Sequence, residues 1–105
     1  MRETVLVYGF GSSFRGSERP QDIDLLLLHR STERASCDFA IDCKRDFQRH
    51  LPDVDVVMLS IVEARNNGFV ARASAIRLGI IESNKREAQV RALSLKLAAQ
   101  GSHLP

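Results

Sequence analysis

Val5-Leu6-Val7-Tyr8-Gly9-Phe10-Gly11-Ser12-Ser13, followed after a polar stretch by Asp22-Ile23-Asp24-Leu25-Leu26-Leu27-Leu28, decides how this chain is read. The first run is an apolar strand that delivers its end to a Gly-Phe-Gly-Ser-Ser turn, where the missing Cβ atoms let backbone N–H groups approach an anion. The second run is another strand, Ile23 to Leu28, and period-two alternation sends Asp22 and Asp24 to the same face near its beginning. Two like charges so placed call for a cation. A phosphate-sized turn beside paired carboxylates is an arrangement suited to a metal and a nucleotide.

With 105 residues the chain is long enough for one domain with a real core, and too short for a catalytic domain plus a separate substrate domain of ordinary size. The hydrophobic share of 44% and the charged share of 27% are those of a globular protein, and no run approaches the roughly 18 apolar residues of a membrane span. No secretory signal pattern is read at the start, so a cytoplasmic protein is expected. A formal net charge of +2 tolerates a polyphosphate ligand and does not by itself argue for nucleic acid, which is not expected as a partner. Cys37 and Cys43, six apart on an expected helix, fall on different faces, so both are read as reduced, with Cys43 in the core.

Beyond the second strand, Phe39, Cys43, Phe47 and Leu51 recur every four residues and predict a helix that Pro52 stops. Asp38, Asp42, Arg45, Asp46 and Arg49 are assigned to its solvent side. Val54 to Leu59 predicts a third, central strand interrupted by Asp55, a carboxylate between valines that needs either a cation or a buried salt-bridge partner. Ser60 and Glu63 form a capping box, so a helix begins there, pauses at Asn66-Asn67-Gly68 and resumes from Phe69 to about Ile76. Leu78 to Ile81 is a short fourth strand. A last helix over about 84–100, opened by Asn84 and Glu87 and ended by Gly101, carries Val90, Leu93 and Leu97 on one stripe. Its Lys85, Arg86, Arg91 and Lys96 are read as a solvated face. Strands alternating with helices predict an α/β (α+β) fold, a small mixed sheet flanked by helices with strand ends open for chemistry.

Asp22, Asp24 and Asp55 could together bind Mg²⁺, which prefers oxygen ligands and shares its shell with substrate phosphates; two ions are expected. The joint pattern, an apolar residue with Gly-Ser, then Asp-x-Asp on a strand, then a third acid on a later strand, resembles the DNA polymerase β-like nucleotidyltransferase superfamily. Phe10-Gly11-Ser12, Ser13-Phe14-Arg15-Gly16 and Arg19-Pro20-Gln21-Asp22-Ile23-Asp24-Leu25 look most like the minimal nucleotidyltransferases, small proteins often paired with a helical HEPN protein in toxin–antitoxin modules. The resemblance covers residues 5–81.

The resemblance implies that Gly11 and Ser12, with Ser13 and Arg15 or Arg19, hold the phosphates of ATP or another nucleoside triphosphate. It implies that Asp22, Asp24 and Asp55 are both metal ligands and catalytic residues, Asp55 also helping to deprotonate the acceptor hydroxyl. The reaction is nucleotidyl transfer with release of pyrophosphate, the acceptor most readily a partner protein of the HEPN kind. Minimal nucleotidyltransferases usually carry a helix before the first strand, whereas here Val5 follows Met1 closely; the last helix fills that place, or the face is covered by a homodimer. Two other functions stay open: an antitoxin-like module that neutralises its partner by occlusion, and transfer to a small molecule such as an aminoglycoside.

Other residues point elsewhere less well. Gly9 and Gly11 could form an ordinary turn, and Asp22 and Asp24 could be turn and strand-start charges. His29, His50 and His103 lack the paired spacing of a zinc site, and the two cysteines form no C-x-x-C. Glu63 serves as a helix cap.

Overall fold

Leu25, Leu26 and Leu27 are wholly inaccessible and Leu28 nearly so. Four consecutive buried side chains on an alternating strand require cover on both faces and a neighbour along each edge. The computed structural model, which describes residues 2–11 and 23–102 with the side chains of 100–102 excepted, supplies both. In chain order the elements are β1 (Thr4–Phe10), β2 (Ile23–His29), α1 (Arg34–His50), β3 (Val54–Ser60), α2 (Ile61–Asn67), α3 (Phe69–Arg72), β4 (Ile76–Glu82), a 3-10 turn (Ser83–Lys85) and α4 (Arg86–Ser102). The four strands form one mixed sheet in the order β3-β2-β1-β4. β1 runs antiparallel to β2 and β4, and β2 runs parallel to β3 across the α1 connection. The fold is thus α+β with a small mixed sheet flanked by helices.

Alternation divides the strands between two apolar layers. Val5, Val7, Leu25, Leu27, Val54 and Ile81 face α1 and α4, which contribute Phe39, Ala40, Cys43, Phe47, Val90 and Leu97. Leu26 and Leu28 face the other way, towards Ala64 of α2 and the half-buried Phe69 and Val70 of α3. The first layer is thicker and better sealed. α4 covers it beside α1, occupying the position for which the sequence suggested either that helix or a second copy. Cys43 lies in this layer, and burial pushes its thiol up to about 12, so it acts as a small apolar filler.

Local chemistry explains the helix ends. The Ser60 Oγ accepts from the Glu63 N–H at 3.1 Å and the Glu63 Oε1 accepts from the Ser60 N–H at 2.9 Å, the reciprocal capping box. The hydrogen bond from the Ser60 N–H is the largest of the effects that hold the Glu63 carboxyl below its ordinary value. Gly68, in the left-handed region at φ 65°, ends α2. Phe69 then opens α3, which is shorter than the helix to Ile76 that the sequence predicts, because Ile76 is drawn into β4 opposite Gly9. Strand pairing with β1 wins over another helical turn, and β4 is correspondingly longer than Leu78–Ile81. At the next junction, where Asn84 and Glu87 predict a cap, the 3-10 turn intervenes, and Gln89 Oε1 takes the Glu82 N–H at 2.7 Å. α4 continues through Gly101 to Ser102. No helix among the described residues is long and apolar enough to cross a membrane.

Two assignments of charge to solvent are corrected. Asp46 is only 5% exposed. Its carboxylate accepts from Arg86 Nε at 2.7 Å and from Arg49 Nη1 at 3.1 Å, and Arg86 also reaches Asp42 at 3.5 Å. Asp46 follows Cys43 by three residues, so it borders the apolar stripe and is buried when α4 docks; Arg86 is the cation that makes this tolerable. The hydrogen bond to Asp46, first, raises the Arg86 guanidinium above its ordinary value.

Arg86→Met should lower stability by about 2 kcal/mol, the cost of stripping a charged hydrogen bond from a buried carboxylate. Asp46→Leu combined with Arg86→Met should restore most of that loss, as when a buried pair is replaced by apolar side chains. Urea unfolding of the two variants beside the wild type measures both. Ser94 provides a second check: it is 3% exposed on α4, and among the described residues its Oγ has no hydrogen-bond partner. Ser94→Ala should therefore raise the unfolding midpoint, by about 1 kcal/mol in free energy.

Candidate functional site

Where β1 ends and β2 and β3 begin, Phe10 pairs with Asp24 and Asp24 pairs with Asp55, so one row across three strands reads aromatic, acid, acid. Directly paired residues project from the same face of a sheet. The next row on that face is Tyr8, Leu26 and Val57, which places the acids on the side covered by α2 and α3. Neighbouring strands lie about 4.8 Å apart, so the two carboxylates belong to one small volume. Asp24 is half-buried and Asp55 exposed. Like charges directly opposed on a sheet repel, so carboxylates at this register work against the pairing of β2 with β3.

Gly11 closes the row. It sits at φ 85°, where a side chain is strained, and a Cβ on it would overlap Asp24 Oδ2 and lie 3.4 Å from Asp24 Cγ. The turn after β1 therefore touches the first described acid, and only glycine permits that approach. Gly11, Asp24 and Asp55 are brought together. Ser12, Ser13, Arg15, Arg19 and Asp22 lie outside the described residues.

One premise of the sequence reading is overturned. Asp55 was expected in a central strand, buried between valines, but β3 is an edge strand and Asp55 is exposed. The apolar residues around it mislead because Val54 and Val56 turn to the α1 layer while Asp55 turns the opposite way. Its position thus rests on register, not on the need of a buried charge for a partner. Among the described residues no group of three or more His, Cys, Asp or Glu is disposed to hold a metal ion. Asp24 and Asp55 offer hard oxygen donors from two strands, the ligand type that suits magnesium rather than zinc.

Ser94 apart, the other buried polar groups have structural partners. His29, at the far end of β2, places Nδ1 2.8 Å from the Ser31 carbonyl and 3.1 Å from Ser36 Oγ. A carbonyl only accepts, which assigns the proton to Nδ1 and makes this histidine a tie between β2 and the start of α1. Cys37 lies 3.5 Å from the Thr32 carbonyl and forms no disulfide. What the sequence reading missed is the partner of Phe10: its ring meets Phe69 edge-to-face, centroids 5.2 Å apart at 89°. Alternation along β1 puts Phe10 on the acid face once Asp24 is paired with it, but nothing local ties Phe69 to that place.

Gly11→Ala and Gly68→Ala should separate conformational strain from crowding. Both glycines have positive φ, but nothing lies within 4 Å of a Cβ at Gly68. Gly68→Ala should cost about 1 kcal/mol and Gly11→Ala about 2–3 kcal/mol in urea unfolding, the excess reporting the Asp24 contact.

Comparison of the chain with protein-family models, with curated proteins and with solved structures gives no match in any of the three.

Proposed function

We propose that this chain is a magnesium-dependent nucleotidyltransferase of the minimal, DNA polymerase β-like kind, moving a nucleoside monophosphate, AMP from ATP, onto a hydroxyl of a helical partner protein in the cytoplasm. The observation that carries the reading is the pairing of Asp24 with Asp55 on one face of the sheet, with Gly11 against Asp24. Each element has a role in that chemistry. The missing side chain at Gly11 admits the Asp24 carboxylate, which sets that metal ligand against the end of β1, where the phosphates would lie. Asp24 and Asp55, with Asp22, would hold the magnesium, which when bound neutralises charge on the phosphates.

The acceptor oxygen attacks the α-phosphorus, the bond from that phosphorus to the bridging oxygen breaks, and pyrophosphate leaves with the electron pair. The hydroxyl proton goes to Asp55, whose exposure on the edge strand gives a protein-borne acceptor access to it. The half-buried Asp24 fixes the geometry. Catalysis of this type consists of alignment and charge neutralisation, which a small sheet end provides without a further domain.

Labelled ATP, Mg²⁺ and a candidate helical partner supply the test. Label should reach the partner with the wild-type chain, and Asp24→Asn and Asp55→Asn should each lower the rate at least about 100-fold, as loss of one preorganised charge does. Asp24→Asn, which keeps the side chain's shape, should weaken Mg²⁺-ATP binding while the metal-free melting temperature changes little. A wild-type chain that binds no Mg²⁺-ATP overturns the proposal, and a clear fall in that melting temperature makes Asp24 structural. Tight binding to the partner without transfer favours neutralisation by occlusion.

A further inference from the structure

We propose that Phe10 and Phe69 form the wall on which the base of the bound nucleotide stacks, an assignment that rests on the nucleotide reading above. Three observations converge on it. Phe10 is in the same row as the acids, directly paired with Asp24 and on the same face, so the aromatic residue and the first carboxylate stand on neighbouring strands about 4.8 Å apart. Phe69 stands edge-to-face on it at 5.2 Å. Neither ring is sealed: both are half-buried, and α3, which brings Phe69, contains no buried residue.

The position of Phe69 is also fixed more firmly than a four-residue helix would suggest. Gly68 turns the chain through the left-handed region immediately before it, and Asn67 Oδ1 accepts the Phe69 N–H at 2.9 Å. The ring is thereby held over the end of β1 rather than left to a flexible loop. A purely structural pair would be expected in the sealed layer beneath α1 and α4, where Phe39 and Phe47 are buried. Phe10 and Phe69 instead line the thinner layer at the end where the carboxylates lie. A nucleotide with its phosphates against Gly11 and the acids needs an apolar surface close by for its base, and this pair is that surface.

Stacking recognises ring area rather than hydrogen-bonding edges, so the wall favours purines over pyrimidines. The contact is worth about tenfold in affinity, within the range measured for base–aromatic stacking. Titration calorimetry with the full chain and Mg²⁺ should use four probes: ATP, GTP, CTP and tripolyphosphate. In the wild type ATP and GTP should bind more tightly than CTP, and all three more tightly than tripolyphosphate. Phe69→Leu should weaken ATP about tenfold and leave tripolyphosphate unchanged, while Phe69→Tyr should restore ATP binding. Phe10→Leu, with a melting curve recorded for each variant, provides a second approach if Phe69→Leu does not fold.

Equal losses for ATP and tripolyphosphate, or no loss for either in folded variants, would overturn the stacking wall while the nucleotidyltransferase reading stood. A wild-type chain that binds none of the four probes overturns both.

Discussion

Burial of Leu25 to Leu28 on both sides of one strand is the constraint from which the rest of this molecule follows. A strand buried on alternate faces must have helices above and below it, and the α1 and α4 layer and the α2 and α3 layer are those covers. A slip of one residue in the pairing of β2 would exchange the two leucine pairs between layers of different depth and would also carry Asp24 into the α1 layer. The leucines therefore do more than make a core. They lock the register that puts Phe10, Asp24 and Asp55 in one row.

That register opposes the stability of the sheet end it creates. Two carboxylates side by side on paired strands repel, and a glycine held at positive φ against one of them forgoes any side-chain packing there. The remainder of the structure offsets this with interactions remote from the acids: the reciprocal cap at Ser60 and Glu63, the Asp46–Arg86 link between α1 and α4, and the fully buried Phe47. Like-charge pairs of this kind are commoner at binding and catalytic clusters than in purely structural regions.

Much of the fold was legible because its periodicities are clean. Phe39, Cys43, Phe47 and Leu51 identify α1, the leucine run identifies β2, and Ser60 with Glu63 marks the start of α2 to the residue. What was not legible depends on strand order and helix docking. Whether β3 is central or at an edge cannot be read from Val54 to Leu59, since an apolar run looks alike in both places, and so Asp55 was assigned a burial it does not have. Asp46 and Arg86 are separated by 40 positions, and each alone resembles a surface charge. The candidate site shares this division. Gly11, Asp24 and Asp55 stand out as residue types, whereas Phe69 joins them only through the fold.

Exposure of Asp55 on an edge strand admits a simpler explanation, that it is a charge placed to discourage another strand from pairing there. Its position argues against that as the whole explanation. A guarding charge is least costly where β3 is exposed, which is at Asp55, but a lysine there would guard the edge as well without facing a second carboxylate. Asp55 stands at the one described position on β3 whose β2 partner is an acid. Discouragement of edge pairing accounts for a charge at this exposed position, and the proposed function accounts for its sign and its place beside Asp24.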